Sequence, residues 1–306
     1  MTSETQCMGR IGVLCGGCSS EREISLASGL AVADALAHLS FDSHLIDAGD
    51  DLLEQLQHHR FDRVFIALHG PGGEDGTLQG ALEYMQLPYT GSGVLASALA
   101  MDKLRCKQLW RGLGLPTADF VALSENSEWR TVLSSLGGDV MVKPSREGSS
   151  IGMSQVDSAE QLEAAWERAV ILDREVIAER RLIGEEYTVA IVADKILPAI
   201  RITTGSEFYD YKAKYNSNET QYFCPSGLSI ERERELAELC YAAFCSLDCR
   251  GWGRVDVMVD QCGEFQLLEV NTVPGMTSQS LVPKAAAAVG TSFEQLVVDI
   301  LQGSFV

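Results

Sequence analysis

The chain has 306 residues, too many for one small core and enough for two or three packed lobes. Hydrophobic residues make up 46% and charged residues 22%, proportions that argue against disorder. A formal charge of −19 disfavours nucleic acid and anionic membranes as partners, since both are polyanions, but not a nucleotide held by a few placed cations.

Nine cysteines, an odd number without a framework of spacings, read as reduced thiols. The C-x-x-C at Cys15 and Cys18 has no second pair at zinc-ribbon distance. Residues 1–10 lack the basic and apolar regions of a secretory signal, and no apolar run is long enough to span a bilayer. The expected location is the cytoplasm.

In chain order, residues 11–14 form a short apolar strand ending at Gly16-Gly17, and an amphipathic helix is expected over 23–39. A buried-type strand at 64–68 is closed by His69-Gly70 and a glycine-rich turn, with a helix over 78–85. This rhythm predicts a parallel sheet with ligands at the carboxyl ends of its strands. Strand 139–143, loop 144–152 and helix 159–171 come next, then strands 175–179, 186–192 and 196–202. Residues 205–227 are polar and aromatic with no clear period, which suits a functional loop or lid. Helix 231–247, a hairpin and helix 293–301 complete the chain. The units expected are 1–97, 98–182 and 183–306.

The hairpin carries a metal argument. It runs Gly253-Arg254-Val255-Asp256-Val257-Met258-Val259-Asp260, then Gln261-Cys262-Gly263, then Glu264-Phe265-Gln266-Leu267-Leu268-Glu269-Val270-Asn271. A two-residue turn at Cys262-Gly263 sets Asp256 opposite Glu269 and Arg254 opposite Asn271 on one face, with Val255, Val257, Leu268 and Val270 on the other. Facing carboxylates repel. A solvated polar face is one reading; the other is a hard cation between Asp256, Glu269 and Asn271, whose oxygen ligands suit Mg²⁺ shared with substrate phosphates.

In the run Val142-Lys143-Pro144-Ser145-Arg146-Glu147-Gly148-Ser149-Ser150-Ile151-Gly152 a lysine stands at a strand end, followed by small residues. Their amides can close over phosphate oxygens, although an ordinary surface turn has the same composition. No Walker A sequence occurs, and Gly16-Gly17-Cys18-Ser19-Ser20 lacks the dinucleotide spacing, which disfavours an NAD-dependent oxidoreductase.

Together these stretches resemble the ATP-grasp superfamily and, within it, the D-alanine–D-alanine ligases. The matching runs include Ser20-Glu21-Arg22-Glu23-Ile24-Ser25-Leu26, His69-Gly70-Pro71-Gly72-Gly73-Glu74-Asp75-Gly76, Tyr89-Thr90-Gly91-Ser92-Gly93 and Met101-Asp102-Lys103. The loop at 143–152, Phe208-Tyr209-Asp210-Tyr211-Lys212-Ala213-Lys214-Tyr215, residues 252–256 and Glu269-Val270-Asn271-Thr272-Val273-Pro274-Gly275-Met276-Thr277 continue the match in order. The resemblance implies an α/β fold: a Rossmann-like parallel-sheet domain followed by two α+β ATP-grasp lobes, closed by the lid at about 205–227. It also implies that two D-alanines are joined through an acyl phosphate made from ATP, for cell-wall synthesis, by a homodimer.

Carried over by position, Lys103, Lys143 and Lys214 would neutralise ATP phosphates, with Ser149 in the loop above them. Asp256, Glu269 and Asn271 would hold two Mg²⁺, for which Mn²⁺ could substitute. Arg254 and the Gly275 backbone would face the oxyanion of the tetrahedral intermediate. Glu21 would anchor the first D-alanine's ammonium with His69 beside it, and Ser280 with the Leu281 amide would receive the second carboxylate. Glu179, Leu182 and Glu186 would bind adenine and ribose. Tyr215 would close toward Ser149 and Glu21, and a tyrosine there accompanies a D-alanine acceptor in the family. Arg180-Arg181 departs from the apolar or aromatic residue common before Leu182. The alternatives are a D-alanine–D-lactate ligase or another ATP-grasp carboxylate–amine ligase, and, in a different class, a non-catalytic binding protein built on the same lobes.

Overall fold

A computed structural model describes residues 8–204 and 220–304. The amino-terminal part is built on a parallel sheet in which β1 (Ile11–Cys15) lies between β2 (Ser43–Asp47) and β3 (Arg63–Ile66). Helices α1 (Arg22–His38) and α2 (Leu52–His59) make the crossovers. Every residue of β1 is buried, so it reads as a continuous apolar run, as central parallel strands do. Edge strand β2 buries only Ile46, which is why no apolar pattern announces it. Helix α3 (Thr77–Tyr84) follows the glycine-rich turn.

Helices α4 (Val94–Met101) and α5 (Lys103–Leu113) are separated by Asp102, whose extended backbone breaks the first helix and whose carboxylate caps the second by accepting from the Arg105 amide. A four-stranded antiparallel sheet follows, formed by β4 (Phe120–Leu123), β5 (Val140–Pro144), β6 (Ser154–Val156) and β7 (Val176–Arg180) in the order β4-β7-β5-β6. Val140, Val142 and Ala178 pack under α6 (Trp129–Ser135) and α7 (Ala159–Ala169). Because side chains alternate, Met141, Lys143 and Glu179 face the opposite way, into a cavity.

The larger sheet is also antiparallel. It contains β8 (Glu186–Val192), β9 (Lys195–Ile196), β10 (Ile200–Thr203), β11 (Gln221–Phe223), β12 (Trp252–Val259) and β13 (Phe265–Asn271), in the order β11-β10-β8-β12-β13 with β9 beside β8. Helix α8 (Ile230–Ser246) covers one face, together with Ala96, Ala100, Cys106 and Trp110 from α4 and α5. The continuous strand expected at 196–202 is split into β9 and β10. Within the expected loop 205–227, residues 221–223 are strand, β11 pairing antiparallel with β10, and residues 205–219 lie outside those described. Helices α9 (Leu281–Ala288) and α10 (Phe293–Gln302) return to the amino-terminal core, where Val297 and Ile300 join Val32 and Leu36.

The hairpin register corrects the expected turn. Arg254 pairs with Asn271 and Asp256 with Glu269 as read, but Val257 pairs with Leu267 and Val259 with Phe265. The turn is therefore one residue longer, closed by the Asp260 amide donating to the Glu264 carbonyl at 2.9 Å, and a bulge at Leu268 restores the register before Glu269. The two displacements cancel. Leu268 is not on the core face: Leu267 is buried there, and Leu268 lines the cavity.

Candidate active site

Two adjoining cavities occupy the junction of these units, and Lys103, Ser149 and Glu269 line both. In the smaller, Glu21 stands at the start of α1, where Arg22 grips Asp47 through two bonds of 2.7 and 2.6 Å. Glu21 is only 9% exposed, not the solvated first-turn acid that its position suggests when read alone. A Cβ at Gly148 would stand 2.8 Å from its Oε2 and one at Gly70 3.1 Å away, so glycines bring two loops onto this carboxylate. Ser149, in the left-handed region at φ 50°, donates a short hydrogen bond to Glu21 Oε1.

His69 is buried with both ring nitrogens engaged. Nδ1 donates to the Val273 carbonyl at 2.8 Å, which leaves Nε2 to accept from Ser28 Oγ at 3.3 Å. Burial holds its pKa below the ordinary value, so the ring is neutral. It ties β3's loop to the segment carrying Gly275, and its ring also lines the smaller cavity. Across that cavity, Ser280 precedes α9 and accepts from the Thr277 amide at 3.0 Å. A Cβ at Gly275 would meet Ser280 Oγ at 2.8 Å, so the Gly275 backbone lies against the helix start. The Leu281 amide belongs to the first turn of α9, whose N–H groups have no partner within the helix and favour an anion.

The larger cavity, about 720 Å³, has the size of a nucleotide-scale site. Lys143, Glu179, Leu182, Glu186 and Asp256 line it. Glu179 is 3% exposed; one oxygen makes a short contact with Lys143 Nζ and the other lies 2.9 Å from Lys107 Nζ. Burial alone would raise its pKa, but Lys107 and Lys143 reverse that and hold it at about 2. Arg181, whose ion pair with Asp139 measures 3.0 Å, forms part of the wall beside Leu182.

On the shared side, Asp256 accepts from Thr188 Oγ1 at 2.6 Å and from Arg254 through bonds of 2.8 and 2.7 Å. Lys103 Nζ donates to the Glu147 carbonyl at 2.8 Å and lies 3.3 Å from Glu269 Oε2. Burial works against the Lys103 charge, but the Glu269 carboxylate outweighs it, and the ammonium is held above its ordinary pKa. The repulsion expected between Asp256 and Glu269 is thus relieved here by the protein's own cations. Asn271 turns Oδ1 to the Val273 amide at 3.0 Å.

Lys214 and Tyr215 lie outside the described residues. Two residues were not singled out from sequence. Glu74 lines the smaller cavity, accepts from the Gly70 amide at 2.7 Å, and has its pKa raised well above the ordinary range by burial and by Glu21. Its signal was present in the His69–Gly76 run. Lys107, 1% exposed, lies one helical turn beyond Lys103 and therefore on the same face of α5, a spacing that could have flagged it.

Family models described as D-ala D-ala ligase N-terminus and C-terminus match residues 47–92 and 109–302. A D-alanine–D-alanine ligase from Saccharophagus degradans is 54% identical over 302 residues, covering 99% of this chain and 96% of its own. Among solved structures, a D-alanine–D-alanine ligase from Bacillus anthracis superposes with a TM-score of 0.87 at 36% identity over 96% of this chain and 97% of that one. Its complex with ATP gives 0.85 at 33%, over the same shares. The VanG D-Ala:D-Ser ligase from Enterococcus faecalis gives 0.83 at 30%, over 96% and 98%. The chain belongs to the D-alanine–D-alanine ligase family.

Proposed function

We propose that this protein joins two D-alanines with ATP as the activating co-substrate. The observation that carries the reading is the meeting of the two cavities at Lys103, Ser149 and Glu269: a nucleotide in the larger would direct its terminal phosphate at a carboxylate held in the smaller. Glu21 would hold the ammonium of the first D-alanine. The carboxylate oxygen of that D-alanine attacks the γ-phosphorus, ADP leaves, and the substrate's acyl carbon gains a phosphate leaving group. The second D-alanine, its carboxylate on the Ser280 hydroxyl and the Leu281 amide, attacks through its amine; phosphate departs with the bonding pair, and the amine gives up a proton. Arg254 and the Gly275 backbone border the place where the oxyanion would form. Lys103 and Lys143 stand on the path of the phosphates, and Lys214 and Tyr215 would join them from the lid.

Among the described residues no three His, Cys, Asp or Glu side chains gather as a metal cluster. Mg²⁺ bound jointly with a polyphosphate needs only one or two carboxylates, and Asp256 paired with Glu269, with Asn271 beyond, meets that need. These residues would hold two Mg²⁺, or Mn²⁺, and the ions would draw charge from the phosphate oxygens. Arg254 and Lys103 must then turn from the carboxylates toward substrate.

The homodimer and the cytoplasmic setting belong to the same reading. No described helix is long and apolar enough to cross a membrane, and Tyr84 and Leu95, 93% and 61% exposed, each leave apolar area that a second copy would cover. The deciding assay follows ADP and phosphate release with D-alanine, L-alanine, D-lactate and D-serine in turn. Release with D-alanine alone, yielding the dipeptide, is expected. No release with D-alanine sinks the proposal, and a faster reaction with D-lactate or D-serine as second substrate would reassign the acceptor.

A further inference from the structure

Three lysines line the larger cavity, and they are not equivalent. Lys103 and Lys143 reach it from a helix start and a strand end, each resting on a carboxylate. Lys107 is held from behind. Its Nζ donates to Thr117 Oγ1 at 2.6 Å, and the Thr117 hydroxyl donates in turn to the Leu267 carbonyl at 2.8 Å. The Thr117 proton is committed to that carbonyl, so a lone pair faces the ammonium. Lys107 is anchored by α5, the segment before β4, and β13, whatever the cavity contains.

We propose that Lys107 is a positioning residue for nucleotide selection: it keeps one oxygen of Glu179 while Lys143 turns to the phosphates, leaving the other oxygen as an ionised acceptor for the 6-amino group of adenine. This rests on the assignment of Glu179 to the adenine pocket. The physics is a matter of what Glu179 becomes once Lys143 departs. A buried carboxylate without a cation takes up a proton. A protonated carboxyl can donate, and would then serve a 6-keto purine as well as a 6-amino purine. With Lys107 at 2.9 Å the group stays an acceptor only, and the keto purine meets two opposed acceptors.

The test compares ATP with inosine triphosphate, which carries a keto oxygen in place of the amine. Measured quantities are kcat and KM for each nucleotide with D-alanine saturating, in the wild type and in Lys107→Met, Glu179→Gln and Thr117→Val. In Lys107→Met the ATP preference in kcat/KM should fall about tenfold or more, carried more by KM for ATP than by kcat. A merely structural lysine would depress both nucleotides alike. If Glu179→Gln loses the preference while Lys107→Met keeps it, the positioning role is overturned and the adenine assignment stands. If Glu179→Gln keeps it, both fall. Should Lys107→Met fail to fold, Thr117→Val carries the test: a loss of preference of about threefold supports the anchored lysine, and an unchanged ratio overturns it.

Discussion

The two cavities are built by different means. The larger cavity is walled mainly by sheet: Lys143, Glu179, Asp256 and Glu269 project from β5, β7, β12 and β13, where hydrogen-bonded register fixes each against its neighbour. The smaller cavity shares β12 and β13 on one side, but most of its other residues come from loops and helix starts, with Glu21, His69, Ser149 and Ser280 each placed by a glycine, a cap or a left-handed residue. Sheet sites tolerate no slip of register; loop sites tolerate no added atom. The two therefore fail in different ways when mutated.

The largest loss is expected at the sheet. Glu269→Gln keeps shape and register but removes a charge next to Lys103 and, on the proposed reading, from the metal site. Turnover followed by ADP release should fall about a hundredfold or more. Near-normal turnover would mean that β13 supplies scaffold alone.

Register itself is tested next. Leu267 is fully buried, while the bulge turns Leu268 to the cavity. Leu267→Ala should cost about 2–5 kcal/mol in urea unfolding, and Leu268→Ala under about 1 kcal/mol. The reverse order, with Leu268→Ala the costlier, would restore the uninterrupted hairpin and abolish the bulge.

At the loops, one carbon is enough. Gly148→Ala places a Cβ 2.8 Å from Glu21 Oε2. It should raise KM for D-alanine about tenfold while that for ATP shifts far less. Equal increases for both substrates would show that the loop serves the two cavities as one.

This contrast also decides what the sequence could disclose. Alternation along β12 and β13 put Asp256 opposite Glu269 correctly even though the turn was misjudged, because the longer turn and the bulge offset one another. Nothing periodic marks Ser280 or Gly275; their proximity depends on α9 folding back against the amino-terminal core, a contact between segments far apart in the chain. Those residues became legible only through family resemblance. Lys107 stayed hidden for a further reason: a lysine on an amphipathic helix looks like solvent-facing charge until its partners, Thr117 and Glu179, are in place. Edge strands β2 and β11 were missed because edges bury little and carry no apolar pattern.

The effect left to read is one of pH, spread thinly across a window in which many groups titrate. Glu179 titrates at about 2 in the fold against an ordinary value of 4.5, because two buried ammonium groups outweigh its desolvation. A depressed carboxylate stabilises the fold at all pH above 4.5 and loses that contribution as pH falls from 4.5 toward 2. Many exposed carboxylates also titrate in this window, so the contrast lies between wild type and Glu179→Gln. The variant should show a shallower fall of unfolding free energy across the window, by at most about 1.4 kcal/mol per pH unit, the limit for a single proton. Parallel slopes would mean that Glu179 is not held ionised by Lys107 and Lys143, and that this wall of the larger cavity derives its order from backbone register alone.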